Sequence, residues 1–74
     1  MENLVPKRIR EIRRILKTSQ EEFSLDLDIK KSTLGSYEEG RAKVPIEIIV
    51  KVMELYGLPM EDMFDFIFDP KYKL

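Results

Sequence analysis

The 74 residues include no cysteine and no histidine. The first absence excludes disulfides, thiolate zinc sites and cysteine nucleophiles, and the second removes the usual general base and the commonest metal ligand. The three glycines are scattered and form no glycine-rich phosphate loop. Glu21, Glu22, Asp26 and Asp28 cluster without any of these helpers, and Asp26-Leu27-Asp28 is too sparse for a calcium loop. An enzyme is therefore the least expected class, and neither a cofactor nor a metal is expected. No apolar run approaches the ~18 residues of a membrane span, and the charged start Met1-Glu2-Asn3 lacks the apolar stretch of a signal peptide. A soluble cytoplasmic protein with no membrane partner is the expectation.

Charge of one sign is also lacking, with 13 Lys and Arg against 14 Asp and Glu for a net charge of −1. Its distribution is uneven. Residues 1–43 carry 10 basic and 8 acidic side chains, net +2, whereas residues 44–74 carry 3 and 6, net −3. Apolar residues make up 43% of the chain, enough for the core of one small domain and too many for a disordered segment. A chain of this size buries only about 60% of its unfolded surface. With disulfides and metal excluded, oligomerisation is the remaining way to reinforce it.

Helical spacing recurs along the chain and sustained alternation does not, so the fold class is all-α. Asn3 and Pro6 suit the start of a first helix. In it Ile9, Ile12 and Leu16 share one face, with Lys7, Arg10, Arg13, Arg14 and Lys17 around it. Arg8, Arg10 and Arg14 read as a solvated face. Ser19 with Glu22 three residues on is a capping-box pattern, followed by Phe23 and Leu27 at i, i+4. Leu27-Asp28-Ile29 is a tight turn in which Asp28 can take the left-handed conformation.

A third helix is predicted from about Lys30 to Glu38. Leu34 and Tyr37 face inward, Lys30, Lys31, Ser32 and Ser36 face outward, and Gly40 closes it. Pro45 suits the start of a fourth helix whose core stripe is Ile46, Ile49, Val50, Met53 and Tyr56, ending at Gly57. A fifth runs from about Pro59 to Phe66. The domain spans residues 1–66, and 67–74 form a C-terminal tail open to a dimer contact.

Ser19-Gln20-Glu21-Glu22-Phe23, Leu27-Asp28-Ile29 and Ser32-Thr33-Leu34-Gly35-Ser36-Tyr37-Glu38-Glu39-Gly40 together resemble the helix-turn-helix core of the lambda-repressor-like, or XRE, family. Ile46 to Met53, Leu55-Tyr56-Gly57-Leu58-Pro59 and Glu61-Asp62-Met63-Phe64 resemble that family's fourth and fifth helices, so the likeness covers residues 7–66. It implies a compact bundle of five short helices in which helices 2 and 3 form the helix-turn-helix and helix 3 lies in the DNA major groove. Carried over by position, the resemblance assigns base contacts to Lys31, Ser32 and Ser36. It assigns phosphate contacts to Gln20, Lys30, Arg41 and Lys43. Arg13 and Glu38 match positions that pair in some members.

The departures are specific. Asp28 stands where the family has Gly, and Lys30 replaces the Ser or Thr cap of helix 3. The reading helix has no Gln, Asn or Arg for bidentate base contacts, which leaves Lys31 as its strongest reader. Glu39 lies near the path of the phosphates.

The fourth helix bears a second apolar row, Ile48, Val52 and Leu55, that either helix 5 and the tail or another subunit can cover. Phe64, Phe66, Ile67 and Phe68 lie close by in sequence. A symmetric homodimer through this region would space two recognition helices about one DNA turn, ~34 Å, apart. Ile15 and Leu25, usually polar in the family, are further candidates for contacts.

The expected function is sequence-specific double-stranded DNA binding at a near-palindromic operator. The protein would be a small dimeric transcriptional regulator, a repressor of the phage, plasmid or mobile-element type. The alternative is a protein-interaction module on the same fold that uses its acidic, apolar C-terminal half to hold an unidentified protein partner.

Overall fold

The positions at which the chain can take positive φ set the helix boundaries. In the computed structural model, which describes residues 3–74, the elements are α1 (Val5–Ile15), α2 (Gln20–Asp26), α3 (Lys31–Glu38), α4 (Ile46–Tyr56), a 3-10 turn (Met60–Asp62) and α5 (Met63–Phe68). Met1 and Glu2, part of the charged start, lie outside the described residues. Four of the helices end on a left-handed residue: Lys17, Asp28, Gly40 and Gly57. After α1, α2 and α3 the same paired bonds close the turn: Thr18 to Arg13 and Lys17 to Arg14, Ile29 to Ser24 and Asp28 to Leu25, Arg41 to Ser36 and Gly40 to Tyr37. Each pair satisfies helix-end carbonyls that would otherwise be orphaned.

Asp28, with φ at 58°, fulfils the expectation of a left-handed corner, and its short polar side chain tolerates that region. Lys17, at φ 57°, was not foreseen, because no sequence rule favours lysine there. It also explains why Leu16 is not a core residue: the helix stops at Ile15, and Leu16 is 41% exposed. A left-handed non-glycine residue costs about 1–2 kcal/mol, offset in part by the extra unfolded-state entropy of glycine. Lys17→Gly should therefore stabilise the domain by about 0.5–1 kcal/mol and raise Tm by a few degrees. A lower Tm in a thermal melt would refute this account of the α1 terminus.

The core gathers Val5, Ile9 and Ile12 of α1 with Phe23 and Leu27 from α2 and its end. Leu34 and Tyr37 of α3, four α4 residues and Phe66 of α5 complete it. Helix α1 packs on α3, α5 and α4, and α2 packs on α3. The inward face of α4 differs from the one expected. Ile48, Ile49, Val52 and Met53 are buried, whereas Ile46 is exposed and Val50 and Tyr56 are only half-buried. Eight of the eleven α4 residues are apolar, so periodicity within the helix could not choose between the two rows. Packing against the rest of the fold did.

The C-terminal segment is also more tightly integrated than expected. Helix α5 continues to Phe68, two residues past the expected end. Tyr72 and Leu74 then pack against the core; the Tyr72 hydroxyl donates to Asp62 Oδ2 (2.8 Å) and the Tyr56 hydroxyl to the Leu74 carbonyl (3.0 Å). Burial, reinforced by the Asp62 carboxylate, pushes the Tyr72 phenol up to about 12.

Arg8 is the largest correction to the reading of α1. Instead of facing solvent it is 5% exposed. Its guanidinium donates to the carbonyls of Phe66 (Nε, 3.1 Å), Tyr72 (Nη1, 3.1 Å) and Asp69 (Nη2), and lies 5.7 Å from the centre of the Tyr72 ring. These acceptors cluster at the C-terminal end of α5, where helix carbonyls lack partners and a cation is favoured. Arg10 is half-buried and donates to the Glu38 carbonyl at 2.7 Å, so of the three arginines only Arg14 is exposed.

Candidate nucleic-acid interface

The recognition surface begins with how α2 and α3 are held. Ser19 Oγ accepts from the Glu22 amide (3.1 Å) and Glu22 Oε1 from the Ser19 amide (3.0 Å), the reciprocal capping box expected from the sequence. Accepting from Ser19 holds the Glu22 carboxyl below its ordinary value. Helix α3 starts at Lys31, after Lys30 in an extended conformation that provides no side-chain cap. Leu34 and Tyr37 anchor its inner face, while Lys30, Lys31 and Ser32 are exposed and Ser36 is half-buried.

Glu38 fixes the far end of α3. Only 3% exposed, its carboxylate accepts from Arg13 Nε at 2.8 Å and Nη2 at 3.1 Å, and from Gln20 Nε2 at 3.1 Å. The bond to Glu38, together with its negative charge, raises the Arg13 pKa further above its already high value against the opposing effect of burial. Side chains from α1, α2 and α3 therefore meet at one carboxylate, and the Arg10 bond to the Glu38 carbonyl adds a second tie between α1 and α3. Gln20 is accordingly not a free outward group: one amide hydrogen is committed to Glu38, and the other remains as a donor.

The loop after α3 carries Arg41 and Lys43, both exposed. Arg41 Nη1 lies 3.0 Å from Glu39 Oε1, and its Nη2 makes a long 3.5 Å contact with Ser36 Oγ. Gly40, at φ +75°, turns the chain beside Pro6, and a groove of about 350 Å³ separates this loop from Asn3 and Pro6 at the start of α1. Lys30, Lys31, Ser32 and Ser36 thus lie on or at the start of α3, Gln20 at the start of α2, and Arg41 and Lys43 in the loop beyond. The roles of Arg8 and Arg10, the Gln20–Glu38 bond and the pairing of Arg41 with Glu39 lie outside what the sequence predicts. The only local signal for the last was the i, i+2 spacing of opposite charges.

Two short helices framing a turn, each with one face in the core and braced by a part-buried ion pair, are a geometry with known relatives. The sequence matches the model of the helix-turn-helix family over residues 9–63, about three-quarters of its length. The chain belongs to the helix-turn-helix family. This helix-turn-helix protein is of the XRE kind, a class of DNA-binding transcription regulators. Its fold is similar to that of the N-terminal DNA-binding domain of SinR from Bacillus subtilis. The TM-score is 0.72 at 21% identity, over 95% of this chain and 97% of that one. At that identity the likeness is one of fold. No curated protein gives a significant sequence match. Among the described residues, no helix is long and apolar enough to cross a membrane.

The expected dimer surface needs correction in part. Ile48 (8% exposed), Val52 and Phe66 (both 0%) lie in the core of their own chain, which withdraws them from any contact with a second subunit. They are covered because α4 turns its Ile48–Val52 row inward and α5 folds onto α1. Leu55 (44%) and Phe64 (59%) remain exposed, and the Phe64 ring lies tilted at 52° against that of the half-buried Phe68 with centroids 5.0 Å apart. Ile67 is half-buried against the core. Ile15 (50%) and Leu25 (74%) are exposed.

Proposed function

We propose that this protein is a small, dimeric, sequence-specific regulator of transcription in the cytoplasm, a repressor of the phage, plasmid or mobile-element type that acts by occupying a near-palindromic operator. The observation that carries this reading is the division of α3 into two faces, with Leu34 and Tyr37 inside and Lys31 and Ser32 outside. A helix so anchored can enter the major groove without exposing core. Lys31, Ser32 and Ser36 read base edges. Lys30, Arg41 and Lys43 hold phosphates, as does Gln20 through the amide hydrogen that Glu38 leaves free. Leu55, Phe64, Ile67 and Phe68 form the apolar part of the contact between copies. The twofold axis of that contact imposes the operator's symmetry. Residues 1–66 form the DNA-binding unit, and residues 67–74 form a C-terminal tail that contributes to the contact between copies.

The test is selection of bound sequences from a random duplex library at fixed salt, repeated with Lys31→Ala and Ser36→Ala. The wild type should enrich a palindromic motif. Each variant should lose discrimination at particular positions, by about 1–3 kcal/mol for a lost specific contact. Retention of the same motif at full contrast in both variants would refute base reading by α3. An absence of any enrichment in the wild type would refute operator binding altogether.

A further inference from the structure

Among the described residues, Arg41 differs from Lys30 and Lys43 in already having an acidic partner. Its guanidinium lies 3.0 Å from the Glu39 carboxylate and also reaches Ser36 Oγ. The backbone around it is set by the turn that ends α3: the Arg41 amide is bonded to the Ser36 carbonyl (2.9 Å) and Gly40 is left-handed. The side chain thus folds back along the end of α3, over one of the groups assigned to base reading. The pair is largely solvent-exposed, with the Arg41 side chain 66% accessible and that of Glu39 49%. An exposed pair of this kind is weak and breaks readily when a better anion arrives.

Building on the DNA-binding reading above, we infer that Glu39 sets the affinity of this protein for DNA by occupying Arg41 in the free state, so that binding is an exchange of the Glu39 carboxylate for a backbone phosphate. The exchange frees two groups at once, because Ser36 Oγ loses its guanidinium neighbour when Arg41 swings to the backbone. It also has an electrostatic signature. The carboxylate left behind lies near the duplex and takes up a cation, cancelling about one of the counterions that phosphate neutralisation releases. The salt dependence of the wild type is therefore shallower than its basic contacts would give. Glu39 in effect acts as an internal competitor with every duplex, whatever its sequence.

The experiment measures binding of the full chain to a mixed-sequence duplex over a salt series. It compares the wild type with Glu39→Gln, Arg41→Gln and the double variant; both side chains are exposed, so folding is preserved. Glu39→Gln should tighten binding about fivefold, the scale of one exposed ion pair. It should also steepen the slope of log affinity against log salt by ~0.9. With Arg41→Gln in place, the Glu39 substitution should shift affinity by less than roughly twofold, because the partner it releases is absent. In the DNA-free protein, the Arg41 Nε–H resonance should move on Glu39→Gln. Equal gains with and without Arg41 would mean simple repulsion between Glu39 and DNA and would overturn the exchange. So would an unchanged affinity in Glu39→Gln when the wild type binds. If neither the wild type nor any variant binds duplex at low salt, the DNA-binding reading itself falls and the inference with it.

Discussion

Replacing Arg8 by methionine should cost the domain at least about 3 kcal/mol, a large share of the ~4–11 kcal/mol available to a chain of this length. The substitution keeps an apolar stem of similar length and removes the donors. The carbonyls of Phe66 and Tyr72 then lose their partner, and that of Asp69 keeps only the Tyr72 amide. Each buried acceptor left unsatisfied costs about 1–3 kcal/mol, reduced where water can enter. The loss should lower Tm by about 10 °C or more. Hydrogen exchange should show where it falls, with the amides of α5 and of residues 69–74 losing protection before those of α2 and α3. Arg8→Lys should recover only part of the loss, because an ammonium cannot fan out to three separated acceptors as a guanidinium does. A melting temperature for Arg8→Met within two degrees or so of the wild type would mean that these bonds contribute nothing net.

Glu38→Gln should be nearly as damaging, for a different reason. Breaking a buried ion pair by removing one partner typically costs about 3–5 kcal/mol, and the lower end applies here because the Arg13 side chain retains 17% exposure. The amide substitute also points a donor at Arg13 or Gln20, both of which already donate to that site. Replacing both partners, as in Arg13→Met with Glu38→Leu, should recover much of the loss, since a buried pair gains little over apolar packing of similar volume. A double-mutant cycle by chemical denaturation checks this; strictly additive losses would refute the pairing energy. DNA affinity should nevertheless fall in the double variant. Gln20 loses its anchor, and among the described residues the Arg10 bond to the residue-38 carbonyl is the remaining polar tie between the end of α3 and α1.

These two sites show how differently parts of this fold could be read in advance. The capping box at Ser19 and Glu22, the left-handed corner at Asp28, the closure of α3 at Gly40 and the end of α4 at Gly57 all depend on residues within a few positions of one another. Local chemistry governs them, and local sequence displays it. The inward placement of Leu34 and Tyr37, and the outward placement of Lys30, Lys31 and Ser32, likewise follow from position along α3 once its ends are fixed. The fourth helix offered no such guide. With Glu47, Lys51 and Glu54 as its only polar residues, two apolar rows fitted equally well, and the choice between them decided whether Ile48 and Val52 belonged to the core or to a partner.

What the sequence by itself determined, then, was the set of helices, the terminators of α2, α3 and α4 and the face that α3 presents, because those depend on interactions spanning about one helical turn. What only the tertiary structure decided was the fate of groups whose partners are far away in the chain. Arg8 meets acceptors 58 to 64 residues distant, and Gln20 and Arg13 meet Glu38 across 18 and 25. An arginine carries the same charge whether solvent or three carbonyls await it, and its long stem reaches either. Only assembly of α1 against α5 brought it to the carbonyls that made burial favourable.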